Sequence, residues 1–263
     1  MMTSDTVKLS LPLAVAKGSR ISCGFSSNGL PVGWGEVVGH LVNLRVGRIL
    51  KNDDVVFRVI SKDWLPGDDK TASGVSCLLE AQQAVEVGEY ECVVERGGYS
   101  LAWVTLSDKG AAGKRTDESG PMIGRLMAEK LDLGCVQGFI IPDEVDILKG
   151  LVVDLALGQG FDFIMTTGGT GVGPRDITPE ATLAVIEKRL PGYERAMTGV
   201  SLAKTPHGAI SRAVAGTLGH SLIVNMPGSP KAVAECLEPL LPTLKHTLEK
   251  LQGDPSDCAN LHK

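Results

Sequence analysis

No stretch of this chain approaches the run of about 18 apolar residues that a helical membrane span needs. Its six cysteines, Cys23, Cys77, Cys92, Cys135, Cys236 and Cys258, include no C-x-x-C pair and fit no zinc-module spacing. Scattered through a chain this long, they read as free thiols of a reducing compartment. The apolar patch Leu11–Ala16 is too short for a signal h-region and has no basic segment before it. The expectation is a cytoplasmic protein with no membrane partner. There is no basic excess either. Residues 1–98 hold 10 Lys+Arg against 12 Asp+Glu, and residues 99–263 hold 16 against 19, so −2 and −3 add to the formal −5. Neither half has the footprint of a nucleic-acid binder. The phosphate-binding signature G-x-x-x-x-G-K-[ST] is absent, which excludes a Walker-type NTPase. Gly169-Thr170-Gly171 opens a G-x-G, but Pro174 stands where the third glycine belongs, so a dinucleotide fingerprint fails.

What is present is a chain with core-forming capacity: 263 residues, 43% hydrophobic, mean hydropathy +0.10. That length holds one large domain or two small ones. Residues 1–98 read as β-rich. Val55–Ile60 is β-branched, and glycines at 18, 24, 29, 33, 35 and 39 punctuate short strands in the manner of a small barrel or sandwich. Ala72–Ala84 reads as one short helix. His40, the single histidine of this part, reads as structural. No catalytic constellation stands out, and no motif assigns a role or family to this part. Gly97-Gly98 reads as a linker.

From Leu101 onward strands and helices alternate. Leu101–Leu106, Gly138–Ile141, Phe163–Thr167 and Leu222–Asn225 read as strands. Ser119–Leu131, Glu144–Leu157 and segments from Thr178 and Pro230 read as helices, with breaks expected at Pro239 and Pro242. Such alternation predicts an α/β fold, a mostly parallel sheet with helices on both faces. The expected boundaries are a β-rich domain over 1–98, an α/β domain over 99–253 and a tail over 254–263.

The densest segment is Met165–Thr182, MTTGGTGVGPRDITPEAT. Gly168, Gly169, Gly171 and Gly173 let backbone N–H groups approach a ligand closely, and successive N–H groups in such a turn make an anion-binding concavity. Arg175 and Asp176 follow. Arg175 can hold a phosphate or pair with Glu180. Thr178-Pro179-Glu180 reads as N-cap, N1 proline and first-turn acid of a helix. Three further motifs close the other strands: Ser107-Asp108-Lys109-Gly110, Pro142-Asp143-Glu144 and Asn225 to Pro230. Taken singly, each is also an ordinary turn or helix start. Ligands of open parallel sheets bind outside the carboxyl ends of the strands, where all four motifs fall.

TLSDKGAAGKRTDESGP, IPDEVDI, the glycine loop, GAISRAVAG and IVNMPGSPKAVAECLEPLLPTLKH together resemble the molybdopterin adenylyltransferase family. This is the MogA-like domain, found also as the G domain of gephyrin and its plant counterpart. The resemblance covers about Leu101–Gly253. The glycine loop alone would indicate only the wider molybdenum-cofactor-biosynthesis fold, which includes MoaB-like and CinA-like proteins. The resemblance implies Mg²⁺-dependent transfer of AMP from ATP to the terminal phosphate of molybdopterin, with release of pyrophosphate. It implies Asp143 and Asp176 as the functional, metal-holding aspartates. It implies ligand contacts from Ser107, Asp108, Gly168, Gly169, Thr170, Gly171, Arg175, Ser211, Pro227, Gly228 and Ser229. Position 229 is often Asn in the family; here it is Ser, as in the gephyrin branch. Lys204, Arg212 and Lys231 are candidates for the anionic pterin ligand, and His207 reads as structural. A homotrimer and handover to a molybdenum-insertion protein are implied by resemblance alone. The alternatives are a non-catalytic molybdopterin-binding or scaffolding protein, or a MoaB-like member of the same fold.

Overall fold

The computed structural model describes residues 6–24, 32–39, 44–67 and 73–255. Gly29, His40, Cys258 and residues 256–263 of the expected tail lie outside the described residues. Contacts divide the chain into two compact units. The first is Met1–Ser100 with Leu133–Cys135; the second is Leu101–Asp132 with Val136–Lys263.

The first unit is a closed barrel. Its strands are β1 (Thr6–Leu11), β2 (Arg20–Gly24), β3 (Gly35–Gly39), β4 (Arg48–Lys51), β5 (Val56–Leu65), β6 (Gly74–Ala81) and β7 (Gly88–Arg96). They follow one another around the barrel as β1-β3-β2-β6-β5-β4-β7, and β1 closes the ring by pairing antiparallel with β7. The period-2 alternation of a strand decides what fills it. Val7, Leu9 and Leu11 of β1 point inward, with Leu50, Phe57, Val59 and Leu79 from other strands, all essentially without solvent exposure. Of the short helix expected over Ala72–Ala84, Ala72 lies outside the described residues and Gly74–Ala81 is instead β6. Cys77, Leu79 and Ala81 alternate into the barrel core, and β2 and β5 flank the strand on either side. Ladder pairing and burial on both sides override the helix-favouring Leu-Leu-Glu-Ala run.

The second unit is built on a six-stranded sheet in the order β11-β12-β13-β10-β8-β9. The strands are β8 (Tyr99–Leu106), β9 (Leu133–Ile141), β10 (Phe163–Thr167), β11 (Lys188–Arg189), β12 (Ala215–Leu218) and β13 (Ser221–Met226). β10 runs parallel to both β8 and β13. β12 is antiparallel to β13, and β11 to β12. The sheet is therefore mixed: β8, β10 and β13 run parallel as expected, and the antiparallel β12 and β11 depart from that pattern. The cause of the departure is local. Gly219-His220 makes a two-residue turn between Leu218 and Ser221, with Gly219 at φ 55°, so β12 and β13 form a hairpin. Every residue of β10 and β13 is buried, which requires cover on both faces of the sheet. The helices of this unit are α1 (Asp108–Ala111), α2 (Ser119–Ala128), α3 (Val145–Val153), α4 (Thr178–Leu183), α5 (Pro191–Lys204), α6 (Pro230–Leu237) and α7 (Leu241–Leu251), of which α2 packs on β10 and α4, α6 and α7 on β13. α6 packs against α2 and α5, and α3 against α4.

Two helix expectations also change. α3 gives way after Val153 to a π-helical segment, Asp154–Gln159, closed by left-handed Gly160. Thr178 does not cap α4. Its buried hydroxyl donates to the Gly168 carbonyl at 2.8 Å and its N–H to that of Gly169 at 3.0 Å, so it ties down the loop before the helix. Pro239 does interrupt the last helical stretch, between Leu237 and Leu241, whereas Pro242 sits in the first turn of α7, where a proline is tolerated, and does not break it. The five described cysteines are buried free thiols. Burial pushes the Cys92 thiol up to about 11, which keeps it unreactive.

Candidate functional site

The parallel register of β8, β10 and β13 puts Leu106, Thr167 and Met226 on one sheet edge, and the Ser107 N–H donates to Ile141 O at 2.9 Å, bringing the end of β9 there too. The loops that follow are interlocked through glycine. Gly168 has φ 94°, and a Cβ on it would lie 2.6 Å from the Leu106 carbonyl. Gly169 has φ 63°, and a Cβ there would lie 2.5 Å from the Thr178 hydroxyl and 3.5 Å from Asp143 Oδ1. Only glycine meets both demands.

The loop's hydrogen bonding is one-sided. The carbonyls of Gly168, Gly169, Thr170, Gly171 and Gly173 all accept bonds from the protein. The N–H groups of Gly169, Thr170, Gly171 and Val172 have no protein acceptor among the described residues. Four successive unmet N–H donors beside a sheet edge form a cradle for an anion. The Asp176 carboxylate sits at the far end, accepting the Gly173 N–H at 2.8 Å.

A cleft of about 380 Å³ opens at this edge. Of the sequence-predicted residues it contains Ser107, Gly168 and Gly228. It also contains Thr105, Arg115, Asp117 and Ser119, which were not singled out. Asp117 accepts the N–H groups of Ser119 and Gly120 at 3.1 and 3.2 Å and the Thr105 hydroxyl at 2.8 Å. Ser119 donates to the Gly228 carbonyl at 2.9 Å. The signal in the sequence was Asp117-x-Ser119-Gly120 before an apolar helix, a capping pattern. Ser107 and Ser229 spend their side chains capping α1 and α6, accepting from Gly110 and Ala232 N–H. Pro227 accepts the Thr167 hydroxyl at 2.6 Å.

Beside the cleft lies a charge cluster. Asp108 and Asp143 exchange backbone-to-carboxylate bonds, and Arg175 grips Asp108 through two nitrogens at 3.2 and 2.8 Å and Glu144 at 2.8 Å. Arg175 therefore does not pair with Glu180, which pairs with Arg212 instead. Hydrogen bonding to Arg175 holds the Asp108 carboxyl below its usual range. Asp143 goes the other way. Partial burial raises it, and the negative charges of Asp108 and Asp176 raise it further. Among the described residues no group of three or more His, Cys, Asp or Glu is arranged as a metal cage. Two acids that repel one another beside free N–H donors do suit Mg²⁺, which takes one or two carboxylates plus substrate phosphates.

Ser211 and Arg212 do not line this cleft. They face a second concavity, with Pro179, Leu183 and Leu202. The Arg212 guanidinium is turned onto the glycine loop.

The class of protein follows from these features: an α/β domain whose strand-end loops present amide donors and paired carboxylates at one edge of a mixed sheet. Residues 102–246 match the family described as a probable molybdopterin binding domain, and the chain belongs to that family. A molybdopterin adenylyltransferase of Helicobacter pylori strain 26695 is 37% identical over 153 residues, covering 57% of this chain and 86% of the relative. The molybdenum cofactor synthesis protein cinnamon of Drosophila melanogaster is 37% identical over 159 residues, 60% of this chain. The chain spans only 26% of the length of cinnamon, and likewise 26% of Dictyostelium discoideum gephyrin. A solved structure described as the molybdopterin biosynthesis enzyme MoaB of Thermus thermophilus is 40% identical with a TM-score of 0.55, covering 60% of this chain and 99% of that one.

Proposed function

We propose that this chain is a molybdopterin adenylyltransferase of molybdenum cofactor biosynthesis, joining AMP from ATP to the terminal phosphate of molybdopterin. The observation that carries the reading is the glycine-loop cradle of unmet N–H donors with Asp143 and Asp176 beside it. A phosphate monoester is the nucleophile. Its second pKa is about 6, so it is already anionic at neutral pH and needs no general base. One of its oxygens bonds to the α-phosphorus of ATP, the bond from that phosphorus to the bridging oxygen breaks, and pyrophosphate leaves. Such transfers are governed by placement and charge neutralisation, which rigid amide donors supply. Asp143 and Asp176 would hold Mg²⁺, whose role is to neutralise phosphate charge. Names of relatives at 35–39% identity support the enzyme reading.

The test is pyrophosphate release from ATP, Mg²⁺ and molybdopterin, with Asp176→Ala alongside. Release that requires molybdopterin and vanishes in the variant is expected. A well-folded wild type that releases none would overturn the reading. A MoaB-like role with different substrate use is the second reading, favoured by the 40% identity to the Thermus protein so named. A homotrimer, a cytoplasmic location and handover of product to a molybdenum-insertion protein belong to the same proposal. Among the described residues, no helix is long and apolar enough to cross a membrane.

A further inference from the structure

Arg212 makes an unusual set of bonds. Its backbone N–H donates to the Thr170 carbonyl at 2.9 Å. Its side chain donates through Nε to the Gly171 carbonyl at 2.7 Å, through Nη2 to the Asp176 carbonyl at 2.8 Å, and through Nη1 to the Glu180 carboxylate. Three carbonyls of the glycine loop thus face one residue outside the loop. In a trans peptide the carbonyl and the following N–H point in opposite directions. Fixing the carbonyls of Thr170, Gly171 and Asp176 therefore aims the N–H groups of Gly171, Val172 and Ile177 away from Arg212, and none of these three has an acceptor among the described residues. Peptide planes beside glycine turn over easily, because glycine populates positive and negative φ about equally. Left unheld, Gly169, Gly171 and Gly173 would let the cradle scramble.

We infer that Arg212 is the positioning residue of the glycine loop, a fork that fixes its carbonyl side so that its amide side stays set for phosphate. This rests on the reading of that loop as the phosphate holder. A guanidinium spans the two carbonyls because its donors are planar and separated, whereas a lysine ammonium is a point donor with the same charge. Glu180 completes the arrangement from the first turn of α4, and Arg212 in turn holds its carboxyl below the usual range.

The experiment compares wild type with Arg212→Lys, Arg212→Ala and, as a control arginine removal, Arg189→Ala, which breaks an ion pair with Glu194 away from the loop. The activity-independent readout is hydrogen exchange of the Gly173, Asp176 and Thr178 amides, which are bonded within the loop. Both Arg212 variants should exchange these at least tenfold faster, and Arg189→Ala should not. In pyrophosphate release, kcat should fall about 30-fold in Arg212→Ala and nearly as far in Arg212→Lys, with partial recovery of Arg212→Ala by added guanidinium ion. A lysine variant with wild-type kcat would mean that charge alone matters, and would overturn the inference. So would unchanged exchange in Arg212→Ala. If wild type itself releases no pyrophosphate, the adenylyltransferase reading fails separately. Calorimetric binding of inorganic pyrophosphate then decides: tenfold weakening in Arg212→Ala supports the fork, and equal affinity, or no binding by wild type, refutes it.

Discussion

Asp108 and Asp143 hold each other by a reciprocal pair of bonds: the Asp108 N–H donates to Asp143 Oδ2 at 3.1 Å, and the Asp143 N–H to Asp108 Oδ1 at 3.2 Å. Two carboxylates from different strand-end loops are thereby locked side by side, with Arg175 compensating only one of them directly.

That imbalance predicts a conflict between stability and function at Asp143. Its folded-state pKa is raised, so the native protein binds a proton more readily than the unfolded chain. Stability then falls as pH rises through the window just above the ordinary aspartate value. Asp143→Asn keeps an oxygen to accept the Asp108 N–H and removes the charge. Its Tm at pH 7 should lie about 2 °C above wild type. The difference should shrink towards pH 4, while pyrophosphate release is lost. A thermal melt series at both pH values checks the sign.

Gly169→Ala should be costly for two independent reasons: φ of 63° and a Cβ 2.5 Å from the Thr178 hydroxyl. A loss of about 1–3 kcal/mol in urea unfolding is expected. Gly192→Ala meets open space in α5 and should be neutral or better, which makes it the matched control.

Asn225 is fully buried and satisfied on both ends of its amide. Nδ2 donates to Thr166 and Thr182 hydroxyls at 2.9 Å each, and Oδ1 accepts the Val214 N–H at 3.2 Å. Asn225→Ala strands those partners in the core and should cost about 2–3 kcal/mol by denaturant titration. Because Thr182 lies in α4, the variant should also loosen the helix that follows the glycine loop, seen as faster exchange of the Ala181 amide.

Arg175→Ala should release Asp108 from its ion pair. The Asp108 carboxyl should then titrate closer to an ordinary aspartate, measurable by carboxyl-carbon NMR, with little change in Tm because the pair is half exposed.

The strand-end loops were legible in the sequence because glycine, proline and acidic residues cluster where apolar runs stop. Phe163–Thr167 falls where expected, and the motifs from Ser107, Asp143, Gly168 and Pro227 meet at one edge. Side-chain partnerships were not legible. Arg175 could reach Glu180 by spacing, yet it takes Asp108, 67 residues away, and Glu180 takes Arg212. Local spacing says nothing of which loops a sheet brings together. The β12–β13 hairpin was missed because Gly219-His220 is a weak turn signal between two short apolar runs. β6 was missed because its helix-favouring residues are overruled by barrel closure.

Among the described residues, apolar side chains fill the inside of the barrel. Val7, Leu9, Leu50, Phe57, Val59 and Leu79 belong to one buried apolar cluster. The barrel is a plug rather than a vessel, and the outward faces of its strands are what it offers to solvent. Inward and outward positions along each strand should then drift under separate rules: volume inside, chemistry outside. A substitution map of this unit would show two interleaved patterns, one for each face of the strands.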